Sequence, residues 1–264
     1  MQHIPRKRFG QNFLRDQAII HRIVGALAPK AGEHLIEIGP GQGAITLPVL
    51  RIAKQLEVVE LDRDLIPDLK DRVSAAGSLT VYEADALLFD FASVRKDNEW
   101  LRVFGNLPYN ISTPLIFHLL SYAAIISDML FMLQKEVAER LAAEPGTDGY
   151  SRLSVMAQYY CRAELLFNVP PTAFYPPPKV DSSIIRLIPY ATLPFVADDE
   201  AFFAEIVKHA FGQRRKTLRN SLKNHVHDET WAEVQIHSDR RPETLSVEEF
   251  VKIANVACRL SRAT

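Results

Sequence analysis

His34-Leu-Ile-Glu-Ile-Gly-Pro-Gly-Gln-Gly43 is an apolar run that ends in three glycines within five residues. His34–Ile38 reads as a buried strand, and Gly39–Gly43 as the turn from that strand into a helix beginning near Ala44. Glycine tolerates positive φ and lets the backbone approach a ligand closely, so such a turn at a helix entrance is a natural binding loop. Outward from it the chain alternates. Leu56–Glu60 reads as a second strand, Asp62–Ala76 as a helix with acidic residues at its start, and Leu79–Tyr82 and Leu101–Phe104 as further strands. Thr113–Ala123 is helical, with Pro114 tolerable in the first turn, and Asp128–Leu133 is a strand apolar enough to be covered on both faces. Lys135–Ala143 and Arg152–Tyr160 are helices. The apolar runs Ala163–Val169 and Ser183–Ile188 flank Pro170–Lys179, whose half-proline composition excludes a helix or a central strand.

Strands alternating with helices predict a doubly wound, Rossmann-like α/β fold with right-handed crossovers. The expected sheet is mostly parallel and seven-stranded, with 163–169 and 183–188 as a closing antiparallel hairpin. Beyond the linker-like Tyr190–Val196, Asp198–Ala210, Arg214–His225, Glu229–Gln235 and Ser246–Leu260 read as helices, with no strand among them. The predicted organisation is an α/β domain over 1–190 and a small all-helical domain over 191–264.

Composition narrows the function classes. Of 264 residues, 47% are hydrophobic and 24% charged, as in an ordinary folded protein. No run approaches the ~18–20 apolar residues of a membrane-spanning helix, and the basic N-terminus lacks the apolar segment of a secretory signal. The two cysteines, Cys161 and Cys258, are far apart and outside any metal-binding spacing, so they read as small core residues of a cytoplasmic protein. His225-x-His227 has no accompanying ligands, and no metal site is expected. Nothing suggests a large exposed apolar face, and a monomer is expected. The net charge of −1 hides local clusters. Arg6, Lys7, Arg8 and Arg15 open the chain without an acid among them, and Ile206–His227 carries Lys208, Arg214, Arg215, Lys216, Arg219 and Lys223, again without one. Arg215, Arg219 and Lys223 fall at successive i+4 steps, which predicts one basic helix stripe for phosphates, with Leu218 and Leu222 facing the core. Two solvated surfaces would give the same pattern.

Three motifs carry chemistry. Glu60 closes the second strand about 20 residues after Gly39, where a carboxylate can accept both hydroxyls of a ribose. Gly39, Gly41 and Ala44 equally satisfy the dinucleotide fingerprint, so this pair of features leaves the cofactor open. Asp85, after the third strand, stands where it could accept an adenine amino hydrogen, although an aspartate there often caps a turn. Gly105-Asn-Leu-Pro-Tyr109 follows the fourth strand at its carboxyl end, where ligands of doubly wound sheets bind. An exocyclic amine on a base is a poor nucleophile because its lone pair is delocalised into the ring. The Asn106 side-chain oxygen and the Leu107 carbonyl could hold its two hydrogens and favour a tetrahedral nitrogen. Pro108 fixes φ, and Tyr109 offers a stacking face.

Glu37–Gly43, Glu60-Leu-Asp62, Asp85 and Asn106–Tyr109 together resemble the motif series of class I S-adenosylmethionine-dependent methyltransferases acting on exocyclic amines. Phe9-Gly-Gln-Asn-Phe-Leu14, Asn106-Leu-Pro-Tyr-Asn-Ile-Ser-Thr-Pro114, Phe174-Tyr-Pro-Pro-Pro-Lys-Val-Asp-Ser182 and Phe211-Gly-Gln-Arg-Arg-Lys-Thr-Leu-Arg-Asn220 narrow the resemblance. They are similar to the family of ribosomal RNA small-subunit adenine N6,N6-dimethyltransferases, over about Arg6 to Asn224. That resemblance implies N6,N6-dimethylation of two adjacent adenosines near the 3′ end of 16S ribosomal RNA, in pre-assembled small subunits, with S-adenosyl-L-methionine as cofactor and a role in ribosome biogenesis. It implies that Gln11, Asn12 and Leu14 lie at the methionine end of the cofactor, Gly39 and Gly41 against it, Glu60 on the ribose and Asp85 on the adenine. Asn106 and Leu107 would orient the amine, Asn106 also touching the cofactor, with Tyr109 and Phe174 stacking on the base. Arg214, Arg215, Lys216, Arg219 and Lys223 would contact RNA. Two other readings stay open: a non-catalytic ribosome-assembly factor on the same fold, and an NAD-dependent oxidoreductase, which would leave Asn106–Tyr109 unexplained.

Overall fold

A computed structural model describes residues 11–96, 98–213 and 215–263. Arg6, Lys7, Arg8 and Arg214 of the two basic clusters lie outside the described residues. The described chain divides into two compact units: residues up to Ala138 together with Ala163–Pro189, and Glu139–Arg162 together with Tyr190 onward.

The first unit is built on strands β1 (Phe13–Leu14), β2 (His34–Ile38), β3 (Gln55–Glu60), β4 (Ser78–Glu83), β5 (Leu101–Asn106), β6 (Ile126–Gln134), β7 (Cys161–Val169), β8 (Phe174–Tyr175) and β9 (Ser182–Pro189). Seven of them form one sheet in the order β4-β3-β2-β5-β6-β9-β7. β3 and β5 pair parallel to β2, β4 parallel to β3 and β6 parallel to β5, whereas β9 runs antiparallel to β6 with Met129 opposite Leu187. All of β2 and the stretch Met129–Leu133 of β6 are buried, as befits central strands covered on both faces. Counted along the chain, the sheet order is 3-2-1-4-5-7-6. It departs from the dinucleotide-binding order 3-2-1-4-5-6 by the antiparallel strand inserted beside β6.

Helices α1 (Gln17–Leu27), α2 (Thr46–Ala53), α3 (Ile66–Val73) and α4 (Ser112–Leu120) accompany this sheet. α1 is absent from the sequence-based expectation. Its start is fixed by Asp16, whose carboxylate accepts from the backbone N–H of Ala18 and Ile19, a cap worth ~1 kcal/mol. Ile19, Ile20, Ile23, Val24 and Leu27 recur at helical spacing and are buried, each adding roughly 1.5–3 kcal/mol of apolar burial. β1 and β8, also not foreseen, form a separate two-stranded antiparallel ribbon pairing Phe13 with Tyr175 and Leu14 with Phe174.

Helix α5 (Lys135–Leu141) follows β6, and the second unit holds α6 (Arg152–Tyr160), α7 (Glu200–Ala210), α8 (Leu218–Ser221), α9 (Asp228–Val234) and α10 (Val247–Ala263). The expected single boundary at 190 therefore differs from the observed division, which assigns 139–162 to the helical unit. The physical reason is aromatic packing: Tyr159 lies 4.6 Å from Phe203 of α7, and Tyr150 lies 6.4 Å from Phe211. Both cysteines are buried and unpaired.

The predicted helix over 214–225 does not form. Arg215 is left-handed, with φ 68°, and only the four residues of α8 are helical. The N–H groups of Leu218 and Arg219 donate to the carbonyls of Arg240 and Ser238 at 2.9 and 2.8 Å, so α8 cannot be extended backwards. After Ser221 the chain tightens into turns in which His225 and Val226 both donate to the Leu222 carbonyl. Arg215, Arg219 and Lys223 thus do not share one helix stripe, whereas Leu218 and Leu222 are fully buried as expected.

Candidate active site

The carboxyl ends of β2, β3, β4 and β5 surround a cavity of about 310 Å³. Its floor is the glycine turn. Gly39 and Gly41 have φ of 65° and 56°, and a Cβ on Gly41 would stand 3.3 Å from two carbons of the Phe13 ring. A side chain here would be strained and would close the space between the turn and β1. The Gly39 N–H donates to Val59, which ties the turn to β3.

Glu60, the last residue of β3, faces that turn. Its Oε2 accepts from the Gly41 N–H at 3.2 Å and its Oε1 from the Asp62 N–H at 2.8 Å. Burial raises the Glu60 carboxyl above the ordinary carboxylate range, and the two backbone donors pull it partly back. Glu37, in β2, is 2% exposed, and its Oε2 finds no hydrogen-bond partner among the described residues. Burial, with the Glu60 charge adding, pushes its carboxyl up to about 8. Gln11 donates to Asp62 at 2.8 Å, and both Gln11 and Asn12 line the cavity with Leu14. Asp85 also lines it. One of its oxygens accepts from the Leu87 N–H at 2.9 Å, so it caps a turn and still presents a second oxygen.

The loop after β5 completes the wall. Asn106 donates from Nδ2 to the Asn12 carbonyl at 3.1 Å, which leaves its Oδ1 as the amide's acceptor for a ligand. The Leu107 N–H bonds the Met132 carbonyl at 3.1 Å, and Ser112 donates to the Tyr109 carbonyl at 3.1 Å, so both flanks of the loop are anchored. The Tyr109 hydroxyl is 2.6 Å from the hydroxyl of Ser182, a fully buried residue at the start of β9. Burial raises the Tyr109 phenol above its usual value. The arrangement joins a carboxylate suited to a ribose, a second carboxylate suited to an adenine amine, and a rigid acceptor loop.

The family model described as "Ribosomal RNA adenine dimethylase" matches residues 2–258. The chain belongs to the ribosomal RNA adenine dimethylase family. It is similar to the ribosomal RNA small subunit methyltransferase A of Chromohalobacter salexigens, 59% identical over 96% of this chain and 91% of that one. The protein of the same name from Pseudomonas aeruginosa is 54% identical over 98% and 97% of the two chains. Among solved structures, a dimethyladenosine transferase from Plasmodium falciparum superposes with a TM-score of 0.75 at 28% identity, covering 91% of this chain and 95% of that one.

In this dimethylase the cavity brings together Gln11, Asn12, Leu14, Gly39, Gly41, Glu60, Asp85, Asn106, Leu107 and Tyr109. Phe174 is the exception. It is 5% exposed and belongs to the hydrophobic core with its strand partner Leu14, so in this arrangement its ring is not at the cavity surface as a stacking face. Strand alternation explains the difference: Tyr175, one residue on, is the aromatic that faces out, at 52% exposure. Of the basic residues, Arg215, Lys216 and Lys223 are exposed, while Arg219 donates to Asp228 at 3.1 Å. Sequence reasoning assigned no role to Glu37, Phe13 or Ser182, although all three stand inside the quoted motifs. Among the described residues no cluster of three or more His, Cys, Asp or Glu is arranged for a metal, and no helix is long and apolar enough to cross a membrane.

Proposed function

We propose that the dimethylase transfers methyl groups from S-adenosylmethionine to the N6 amines of two adjacent adenosines near the 3′ end of 16S ribosomal RNA, in pre-assembled small subunits. The observation that carries this reading is the Asn106 amide. One Nδ2 hydrogen is donated to the Asn12 carbonyl, which sets the orientation of the amide and leaves Oδ1 as its acceptor for an amine, in a cavity that Glu60 also lines. The cavity fits the cofactor. Its volume lies in the small-ligand range, a Cβ on Gly41 would fill the cradle against Phe13, and the buried Glu37 Oε2 has no partner among the described residues.

S-adenosylmethionine supplies a methyl group on a sulfonium, which carries its own leaving group and needs no metal. Gln11, Asn12 and Leu14 would hold the methionine end, Glu60 would accept the ribose hydroxyls and Asp85 the adenine amine. Asn106 Oδ1 and the Leu107 carbonyl accept the two hydrogens of the target amine and turn its lone pair toward the methyl group. During transfer, in which the S–C bond would break as the N–C bond forms and the thioether S-adenosylhomocysteine would leave, these two acceptors would stabilise the positive charge on nitrogen until one proton passes to solvent. Tyr109 supplies a face for a base taken out of its stack, which compensates the unstacking. The helical part beyond 190 provides the RNA-binding surface, with Arg214, Arg215, Lys216, Arg219 and Lys223 on phosphates. The protein acts as a monomer in the cytoplasm, alongside ribosome assembly. The dinucleotide alternative is disfavoured by the sheet order.

The test is label transfer from methyl-labelled S-adenosylmethionine to undermethylated small subunits, with naked ribosomal RNA and duplex DNA in parallel. Transfer to subunit RNA is the expected result. Binding of both cofactor and subunit without transfer would favour the non-catalytic assembly factor.

A further inference from the structure

The β1–β8 ribbon carries an aromatic surface that the proposed reaction does not use. Phe13 stands opposite Tyr175, and Leu14 opposite Phe174. Side chains of directly opposed residues leave a ribbon on the same face and alternate along each strand. Leu14 and Phe174 therefore share one face, both nearly buried and packed in the core, with Leu14 also reaching the cavity, while Phe13 and Tyr175 share the other. Phe13, on that face, lines the cavity and packs under Gly41. Tyr175, its strand partner on that face, is half exposed, and the Arg15 guanidinium lies 4.1 Å over its ring centroid.

The ribbon is held firmly. The N–H groups of Arg15 and Asp16 both donate to the Ala173 carbonyl, at 2.8 and 3.3 Å. The Asp16 carboxylate is occupied in capping α1, and the Arg15 guanidinium lies on the Tyr175 ring. A planar cation stacked on a half-exposed ring thus stands across the ribbon from Phe13, which lines the cavity. A stack made only for stability would contribute little at so exposed a place. A planar surface with spare N–H donors is what a splayed nucleotide requires: a face for the base and donors for its phosphate.

We propose that Arg15 and Tyr175 form a stacking platform for the RNA nucleotide that flanks the target adenosine. This rests on the proposed transfer to RNA and adds a second base-binding position to it. A target base drawn into the cavity leaves its neighbour unstacked, and the platform receives that neighbour beside the cavity mouth.

The test combines kinetics with a signal that does not need turnover. With undermethylated small subunits, Tyr175→Ala should raise KM about five- to hundredfold, the range expected for one lost base–aromatic stack. Its kcat and its affinity for S-adenosylmethionine should stay within about twofold. Tyr175→Phe should behave as wild type. Tyr175→Leu, apolar but without a ring, should behave as the alanine variant, and Arg15→Lys should fall between. In parallel, subunits reconstituted with 2-aminopurine beside the target adenosine should show quenching with wild type and Tyr175→Phe but not with Tyr175→Ala. Unchanged KM and equal quenching for wild type and Tyr175→Ala would overturn the platform. Quenching that depends on Tyr175 with no transfer by wild type would refute the proposed reaction and leave the platform standing. A leucine variant as good as phenylalanine would also overturn it, by reducing the site to apolar packing.

Discussion

Gly105→Ala should damage both the sheet and the cavity. Gly105 is the penultimate residue of β5, flanked in the sheet by β2 and β6. A Cβ there would stand 2.3 Å from the Ile38 carbonyl oxygen and 3.3 Å from the Ile38 carbonyl carbon and nitrogen. Carbon and oxygen approach comfortably to about 3.3 Å, so β2 and β5 would have to part by roughly 1 Å. The obstructing atom is backbone in a central strand and cannot rotate away, which puts the cost at or above the top of the overpacking range, about 3 kcal/mol. At roughly 2–4 °C per kcal/mol for a chain of this size, the melting temperature should fall by about 6–12 °C. The same displacement separates Gly39, next to Ile38, from Asn106, next to Gly105. Affinity for S-adenosylhomocysteine should therefore drop by about tenfold or more in the folded variant. Thermal denaturation and calorimetric titration read the two effects. Gly25→Ala is the control: it lies within α1, nothing stands within 4 Å of its added Cβ, and it should stabilise by about 0.5–1 kcal/mol. A Gly105→Ala protein with wild-type melting and wild-type affinity would refute the geometric reasoning.

Asn106→Ala should abolish most methyl transfer while S-adenosylhomocysteine still binds within a few-fold; unchanged turnover would remove the amine-orienting role. If Ser182 acts by holding the Tyr109 hydroxyl, Ser182→Ala and Tyr109→Phe should each lower kcat, and the double variant should be no worse than the poorer single one. Additive losses would assign Ser182 an independent role. Glu37→Gln tests the buried carboxyl. Because burial raises its pKa from 4.5 to about 8, folding of the unliganded wild type loses stability as pH rises from about 4.5 to about 8. The glutamine variant lacks that loss, so its advantage in urea unfolding should grow over this interval and level off above it. Replacing Arg215 and Lys216 together by alanine should weaken subunit binding and reduce its dependence on salt; an unchanged slope would take this segment out of the RNA interface.

The central strands were legible because β2 and β6 are covered on both faces and so read as unbroken apolar runs. The cavity was legible for a related reason: its ligand-facing residues come from short loops directly after strands, and the residues in those loops each have a chemical use. The β1–β8 ribbon was not. Its two-residue strands pair across about 160 residues of chain, and nothing local distinguishes Phe174 facing the core from Tyr175 facing out. The i+4 spacing of Arg215, Arg219 and Lys223 describes a helix that local propensity allows, yet the Ser238 and Arg240 carbonyls take the N–H groups that would extend α8. Tertiary pairing overrode the periodic pattern there. α1 is a different case, since its cap at Asp16 and its apolar spacing at 19, 20, 23, 24 and 27 stand plainly in the sequence.

The most direct measurement of the central claim is nucleoside mass analysis of small-subunit RNA after reaction with S-adenosylmethionine, with the modified positions mapped. The account predicts N6,N6-dimethyladenosine at two adjacent adenosines near the 3′ end, lost in Asn106→Ala. Methyl groups on ribose oxygens, on a ring nitrogen, or on no nucleoside at all would contradict it.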